Sequence, residues 1–432
     1  MERKSTVTLA FVMFLTAGAW AATQTVLWNF GSTTGDGASP YTNSLILDKK
    51  GNLYGVTMAG GAYGAGAVFK LSPRTNGSYR ETILYSFCSK ASCADGYTPY
   101  GGLLLDSKGN LYGTTYSGAG CNSYTGICGA VYELSPSGSG GWTETILYGF
   151  CEGGGDCTGG VYPLAGLAID KKGNLYGTTS LGGDYSDASH YLPPSYYGPC
   201  VGTGCGAVFE LSPSTGGGWT ESILYAFTGF GDGKSPYGGL ILDPQGNLYG
   251  TTALGGATLT GTVFELTSNG DGTWSETVLH SFGAGKDGYS PEYLTLSRTS
   301  AGNLFGTTAY GGTNNTGIVW ELVYSKTKKT YTEKVLHNFS ASGGSPLGGV
   351  VLDSTGNVYG TTDTGGAKGL GTVFELSKTT GSWTEAVLHN FTGSNNGANP
   401  SGDLLRDSNG NLYGMTYIGG KYNLGTVFRI TP

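Results

Sequence analysis

Pro236-Tyr-Gly-Gly-Leu-Ile-Leu-Asp-Pro-Gln-Gly-Asn-Leu-Tyr-Gly-Thr-Thr252 is followed ten residues later by Thr262-Val-Phe-Glu-Leu266, and then by Trp274-Ser-Glu-Thr-Val-Leu-His-Ser-Phe282. Four short apolar runs with turn chemistry between them predict four antiparallel strands. Run A, Gly239 to Asp243, is apolar up to its closing Asp, the pattern of a strand buried on both faces. Asp243-Pro-Gln-Gly246 then places Asp at the first turn position and Gly where φ > 0 or a bulge is needed. Run B, Asn247 to Thr252, leads to a Gly255-Gly256 turn, and run C is Thr262 to Leu266. In run D, Trp274, Glu276, Val278, His280 and Phe282 alternate with Ser275, Thr277, Leu279 and Ser281, a period of two.

The same unit recurs along the chain. The word GNLYG starts at Gly51, Gly109, Gly173, Gly246 and Gly410, with variants at Gly302 (GNLFG) and Gly356 (GNVYG). The spacings are 58, 64, 73, 56, 54 and 54 residues, a period that signals a repeat array. Run C recurs at Gly66, Gly129, Gly206, Gly261, Gly317, Gly371 and Gly425, and run D ends at Phe30, Phe87, Phe150, Phe227, Phe282, Phe339 and Phe391. Four antiparallel strands repeated seven times predict an all-β, seven-bladed β-propeller. The ends carry a mismatch that a closed ring uses. A lone run D, residues 23–30, opens the mature chain, and the seventh unit stops after run C at Pro432. Joining the two completes blade seven and closes the ring, whereas an open solenoid would want capping repeats.

The words themselves resemble a known family. LDSxGNLYGTTxxGG…GTVFELS…WTExVLHNF is similar to the bacterial "choice-of-anchor" tandem-repeat GloVer proteins, over the whole mature chain. That resemblance implies secreted bacterial proteins, often with a C-terminal surface anchor, and no established activity. Only Thr431 and Pro432 follow Ile430, so no C-terminal anchor is expected here.

Composition agrees with a turn-rich β chain. Gly supplies 80 of 432 residues, about 18% against a usual share of roughly 7%. Helices are disfavoured, because Gly costs about 1 kcal/mol at each interior helix position. Charged residues are 12% and the net charge is −7, with no basic cluster, so nucleic acid is not expected as a partner. Residues 1–21 read as a signal peptide: Arg3 and Lys4, an apolar core from Val7 to Leu15, and Ala19-Trp20-Ala21 for cleavage. The apolar stretch is too short for a transmembrane span. Residues 22–432 are then one propeller outside the cytoplasm.

Repetition filters the candidate sites. The ring slot of run D (Trp28, Tyr85, Tyr148, Tyr225, His280, His337, His389) and its glutamates (Glu81, Glu144, Glu221, Glu276, Glu333, Glu385) recur and are read as structural. So is the turn acid Asp48, Asp106, Asp170, Asp243, Asp353 and Asp407, with Ser297 in the fifth copy. Asp36, Asp95, Asp232 and Asp287, four residues before a Pro in the D-to-A connections, are expected near one channel mouth and are weak candidates for a Ca²⁺ site; no other cofactor is expected.

The eight cysteines fall in compact pairs that are cheapest to close locally in an exported chain: Cys88-Cys93, Cys121-Cys128, Cys151-Cys157 and Cys200-Cys205. All lie in D-to-A or B-to-C connections, which emerge on one face. The longest insertion, in blade three, holds Tyr185, Asp187, His190, Tyr191, Tyr196 and Tyr197, a set suited to glycan stacking or a protein partner. The leading expectation is a non-catalytic propeller binding a glycan or extracellular protein through this face of blades two and three. An extracellular polysaccharide lyase or hydrolase using His190 and Tyr191 is the alternative, weakened by the lack of Arg or Lys in the insertion, and a structural matrix protein is the third. No GxSxG, HExxH, Walker-type or dinucleotide fingerprint is present.

Overall fold

The computed structural model describes residues 22–432 except 42–43, 120–127, 139, 151–158, 184–203, 284–285, 341–342 and 380. Seven antiparallel blades form a ring, each ordered A-B-C-D from one edge to the other. Blade four shows the plan: Ile241–Leu242, Leu248–Thr252, Thr262–Ser268 and Trp274–Ser281. In blade two an added strand, Tyr97–Pro99, also pairs with run B. Among the described residues the sole helix is one short turn, Ala91–Cys93, and no helix is long and apolar enough to cross a membrane.

Closure occurs as the chain ends predict. Thr23–Asn29 pairs antiparallel with Thr426–Thr431, Thr23 opposite Thr431 and Asn29 opposite Thr426, completing the blade of Leu405–Arg406 and Leu412–Thr416. A bulge between Val26 and Trp28 matches the bulge in the C–D pair of every other blade, such as Val263/Phe264 in blade four. A bulge re-aims the side chains that follow it. Here it turns the ring slot and the terminal Phe of run D toward the next blade.

That Phe makes the seam. Phe282 meets Trp320 of the next blade at 5.5 Å, and Phe30, Phe150, Phe227, Phe339 and Phe391 meet Phe69, Phe209, Phe264, Phe374 and Phe428 at 5.1–5.2 Å. Phe87 meets Tyr132 in the same way at 5.1 Å. Tilted and edge-on rings suit the aromatic quadrupole. The run C ring also lies over the Gly of run B, and a Cβ on Gly250 would come 2.6 Å from Phe264 Cζ. The glycine of GNLYG is thus required by close approach.

Two expectations change. Run B, not run A, is the strand buried along its whole length: Leu248–Thr252 is buried at all five positions, whereas run A shortens to Ile241–Leu242, both half-buried. Run A lies at the axis, where strands converge and leave less room for pairing. Second, the fifth turn residue is Thr299, not Ser297. Ser297 lies inside run A opposite Phe305. Thr299 Oγ1 accepts the Asn303 amide at 3.1 Å, as Asp243 Oδ1 accepts that of Asn247 at 2.9 Å. Asp243 also takes the Asn247 side chain and the Tyr249 hydroxyl, which explains why Asp, Asn and Tyr recur together. Burial alone would raise the Asp48 pKa, but hydrogen bonds from Asn52, Lys50 and Tyr54 hold it below the usual value.

Candidate functional site

Each D-to-A connection delivers a Pro to the axis, and the next residue stands at the mouth of the central channel. Those residues are Tyr41, Tyr100, Leu164, Tyr237, Glu292, Leu347 and Ser401. Tyr293 follows Glu292, while Tyr162 precedes Pro163. The B-to-C connections add Tyr116 and Tyr417 on the same face. The rings assemble into one cluster. Tyr41 touches Tyr100 (5.8 Å), Tyr293 (6.1 Å) and Tyr417 (5.0 Å); Tyr293 stacks on Tyr237 at 5.3 Å; Tyr100 leads through Tyr116 to Tyr162, stacked at 4.3 Å and 13°. Tyr41 and Tyr293 come from blades one and five, so the cluster spans the axis.

Acids flank it. Burial raises the Tyr41 hydroxyl to about 12, helped by Tyr100 and by the charges of Asp363 and Glu292. Burial also raises both carboxyls above their ordinary range, against hydrogen bonds from Ser290 to Glu292 and from Asn399 to Asp363. Beneath the rings lies a cavity of about 140 Å³ lined by run A starts from six blades, among them Ser44, Gly102, Gly166, Thr295 and Asp403. A Cβ on the neighbouring Gly349 would come 2.3 Å from the Thr295 carbonyl oxygen, so the backbones close in here. Asp403, half-buried against the cavity, is pushed up by burial and accepts hydrogen bonds from the Gly349 amide and from Thr295. Among the described residues no Lys, Arg or His lines the cavity. The arrangement offers aromatic faces, hydroxyls and carboxyl acceptors.

The sequence-predicted binding residues Tyr185, Asp187, His190, Tyr191, Tyr196 and Tyr197 lie outside the described residues. Cys88 and Cys93 form the expected disulfide. Cys128 and Cys205 are also disulfide-bonded, while Cys121, Cys151, Cys157 and Cys200 lie outside the described residues. In sequence, Tyr116 lies four residues before the segment 120–127 and Tyr162 four residues after 151–158.

The four aspartates named as Ca²⁺ candidates are not brought together into one group of ligand atoms. Each is folded into its own connection beneath the ring slot of run D. Asp36 accepts from Trp28 Nε1 and the Ser32 amide, Asp95 from the Tyr85 hydroxyl and Ser89, and Asp232 from the Tyr225 hydroxyl and Thr228. Asp287 meets His280 Nε2 at 3.0 Å. The glutamate of the next blade's run D closes the group. Burial and Asp36 raise Glu81 to about 9, and burial and Asp232 raise Glu276 to about 7. At the seam after blade one, Lys90 Nζ reaches Glu144 at 2.6 Å. Period-two reading placed these residues on one face but gave no sign that three elements from two blades meet. The tyrosine cluster was missed too, although Pro-Tyr recurs at Tyr41, Tyr100 and Tyr237 as a readable signal.

The profile of the Gloeobacter/Verrucomicrobia repeat matches residues 13–191, 195–333 and 295–432. No curated protein is similar to the chain in sequence. Among solved structures, the extracellular domain of a candidate hybrid two-component system of B. thetaiotaomicron aligns with a TM-score of 0.53 at 13% identity, over 95% of this chain and 42% of that one. A candidate 6-phosphogluconolactonase of Bacteroides uniformis aligns at 0.49 and 13%, over 80% and 84%. A protein of unknown function from Dyadobacter fermentans aligns at 0.45 and 12%, over 95% and 98%. At such identities the likeness bears on fold alone.

Proposed function

We propose that this chain, which belongs to the Gloeobacter/Verrucomicrobia repeat family, is an exported, non-catalytic binding propeller whose ligand is a glycan held at the axial mouth. One observation carries the reading: half-buried tyrosines from six blades converge over a cavity, with Glu292 and Asp363 beside them. Tyr faces stack on the apolar faces of sugar rings, while hydroxyls and carboxyls take the sugar hydroxyls. The connections of blades two and three that carry the cysteines would extend the contact surface, because loops on a rigid scaffold are where binding is usually built. A disulfide at Cys88 and Cys93 fits the oxidising compartment to which residues 1–21 would direct the chain.

The raised carboxyls of Glu292 and Asp363 favour one second reading, a glycoside hydrolase in which a protonated acid donates to the leaving oxygen. A glycan array and a turnover screen of the oxidised protein separate the two. Binding lost in Tyr41→Ala/Tyr237→Ala, retained in Tyr191→Ala/Tyr196→Ala/Tyr197→Ala and accompanied by no product supports the axial site. The reverse pattern moves the site to the insertion. Product formation abolished by Glu292→Gln supports the hydrolase. No response to any glycan overturns both.

A further inference from the structure

The seam that follows blade four differs chemically from the other six. At every seam a ring from one blade and a carboxyl or amide of the next blade's run D flank the connection between them. The ring is Trp28, Tyr85, Tyr148 or Tyr225 at four seams, and none of these offers a neutral ligand nitrogen. After blade six, His389 meets Asn396, and Gln24 replaces the glutamate. After blade five, His337 Nε2 lies 3.4 Å from Glu385 Oε2, with Ser at position 342 of the sequence where four other seams carry Asp. Only after blade four do an imidazole and two carboxylates come together. His280, Asp287 and Glu333 each bring a ligand atom within 4.8 Å of the others, and among the described residues no other such group of three is found.

The polar atoms here are also less satisfied than at sister seams. Oε1 of the run D glutamate lacks a partner at Glu81, Glu144, Glu221, Glu276 and Glu333 alike, so that feature distinguishes nothing. Asp287 Oδ1 is different. It is buried and receives no donor, with the Asp287 carboxylate against the Glu333 carboxyl, whereas Asp36, Asp95 and Asp232 have no such orphan. Asp287 is only 9% exposed, and an unpaired buried carboxylate oxygen is costly. After blade one, where Asp95 and Glu144 meet in the same way, a cation is already supplied by Lys90 Nζ. Among the described residues, no lysine takes that place at the seam after blade four.

We propose that His280, Asp287 and Glu333 form a binding site for a divalent transition metal of the zinc type. One imidazole with two carboxylates is a donor set suited to such an ion, which also neutralises the two acids. The His280 Nε2 to Asp287 Oδ2 separation of 3.0 Å is near the edge of about 3.3 Å that a tetrahedral site with bonds of about 2.0 Å requires. Glu333 brings a carboxylate oxygen within 4.8 Å of both, and would move inward to close the third corner. The fourth position would be taken by water, which reaches the His280 side chain, itself 20% exposed. Joining run D of blade four to run D of blade five, the ion would staple two blades that otherwise meet through Phe282 and Trp320.

Equilibrium dialysis of the chelator-treated chain against ZnCl₂ tests this directly. The expected result is one bound equivalent and a raised melting temperature, with a Co²⁺ derivative that shows a visible absorption band. His280→Gln should weaken binding by more than about 10-fold and remove the band. His389→Gln, at a seam without carboxylates, should leave both unchanged. Absence of Zn²⁺ uptake by the folded wild-type chain overturns the proposal, as does uptake that survives His280→Gln. Melting of each metal-free variant shows whether it has folded. Glycan binding is read separately, so failure here leaves the axial reading standing.

Discussion

The seams between blades and the mouth of the channel are built from the same repeats and have drifted to opposite degrees. At the seams each slot keeps its chemistry: a run D phenylalanine against a run C aromatic at all seven, and an acid or amide against a ring. At the mouth one slot reads Tyr41, Tyr100, Leu164, Tyr237, Glu292, Leu347 and Ser401, and a second reads Met58, Tyr116, Ser180, Ala253, Ala309, Asp363 and Tyr417. A seam position faces the same neighbour in each blade, so one solution serves seven times. A mouth position faces a shared space where seven identical side chains would collide, and its residues are free to answer to a ligand. The seams should therefore carry stability and the mouth should carry recognition.

The largest effect expected of that division comes from the closing seam. Deleting residues 23–30 removes the outer strand of blade seven, the buried Leu27 and Phe30, and with them the Phe30–Phe69 contact. The melting temperature should fall by at least about 10 °C, or cooperative unfolding should be lost. Unchanged melting would mean that the ring is held without its closure. A single residue gives a smaller test. Trp320 is fully buried against Phe282, and Trp320→Ala should cost about 3–5 kcal/mol in denaturant unfolding. Tyr41→Ala, from a half-buried ring at the mouth, should cost under about 2 kcal/mol. If the two variants lose equal stability, the contrast between seam and mouth fails.

The ring, the blade count and the closing strand were all legible in the sequence, because each rests on local words that recur: GNLYG for the A–B turn and run B, GTVFEL for run C, and a terminal Phe for run D. His280, His337 and His389, which repetition assigns one shared slot, each pack edge-on against the Phe two residues later. What could not be read was anything made by three elements at once. Asp36 with Glu81 joins residues 45 positions apart from two blades, and no local period encodes that meeting. The tyrosine cluster is the same kind of object, since Tyr41 and Tyr293 meet only because the ring closes. Run A misled for a related reason. Its apolar pattern reports burial correctly around Leu240 but says nothing of strand length, which is set by crowding at the axis.

The smallest predicted effect bears on the seams alone and follows from proton linkage. Glu81 is held near 9 when folded, by burial and by Asp36, against an ordinary value near 4.5. Below the ordinary value both the folded and unfolded chains hold the proton, and this group adds no pH dependence. Between the two values the folded chain keeps a proton that the unfolded chain has released, so stability falls as pH rises across that window. Above the folded value both are ionised and the loss is complete. Glu81→Gln removes the titration while keeping the shape and a hydrogen-bond donor toward Asp36. The variant should therefore melt with the wild type near pH 4.5 and above it at pH 8, with a flatter profile between. Curves that stay parallel from pH 4.5 to 8 would show that the acid pair at this seam does not share a proton, and that its burial is relieved in another way.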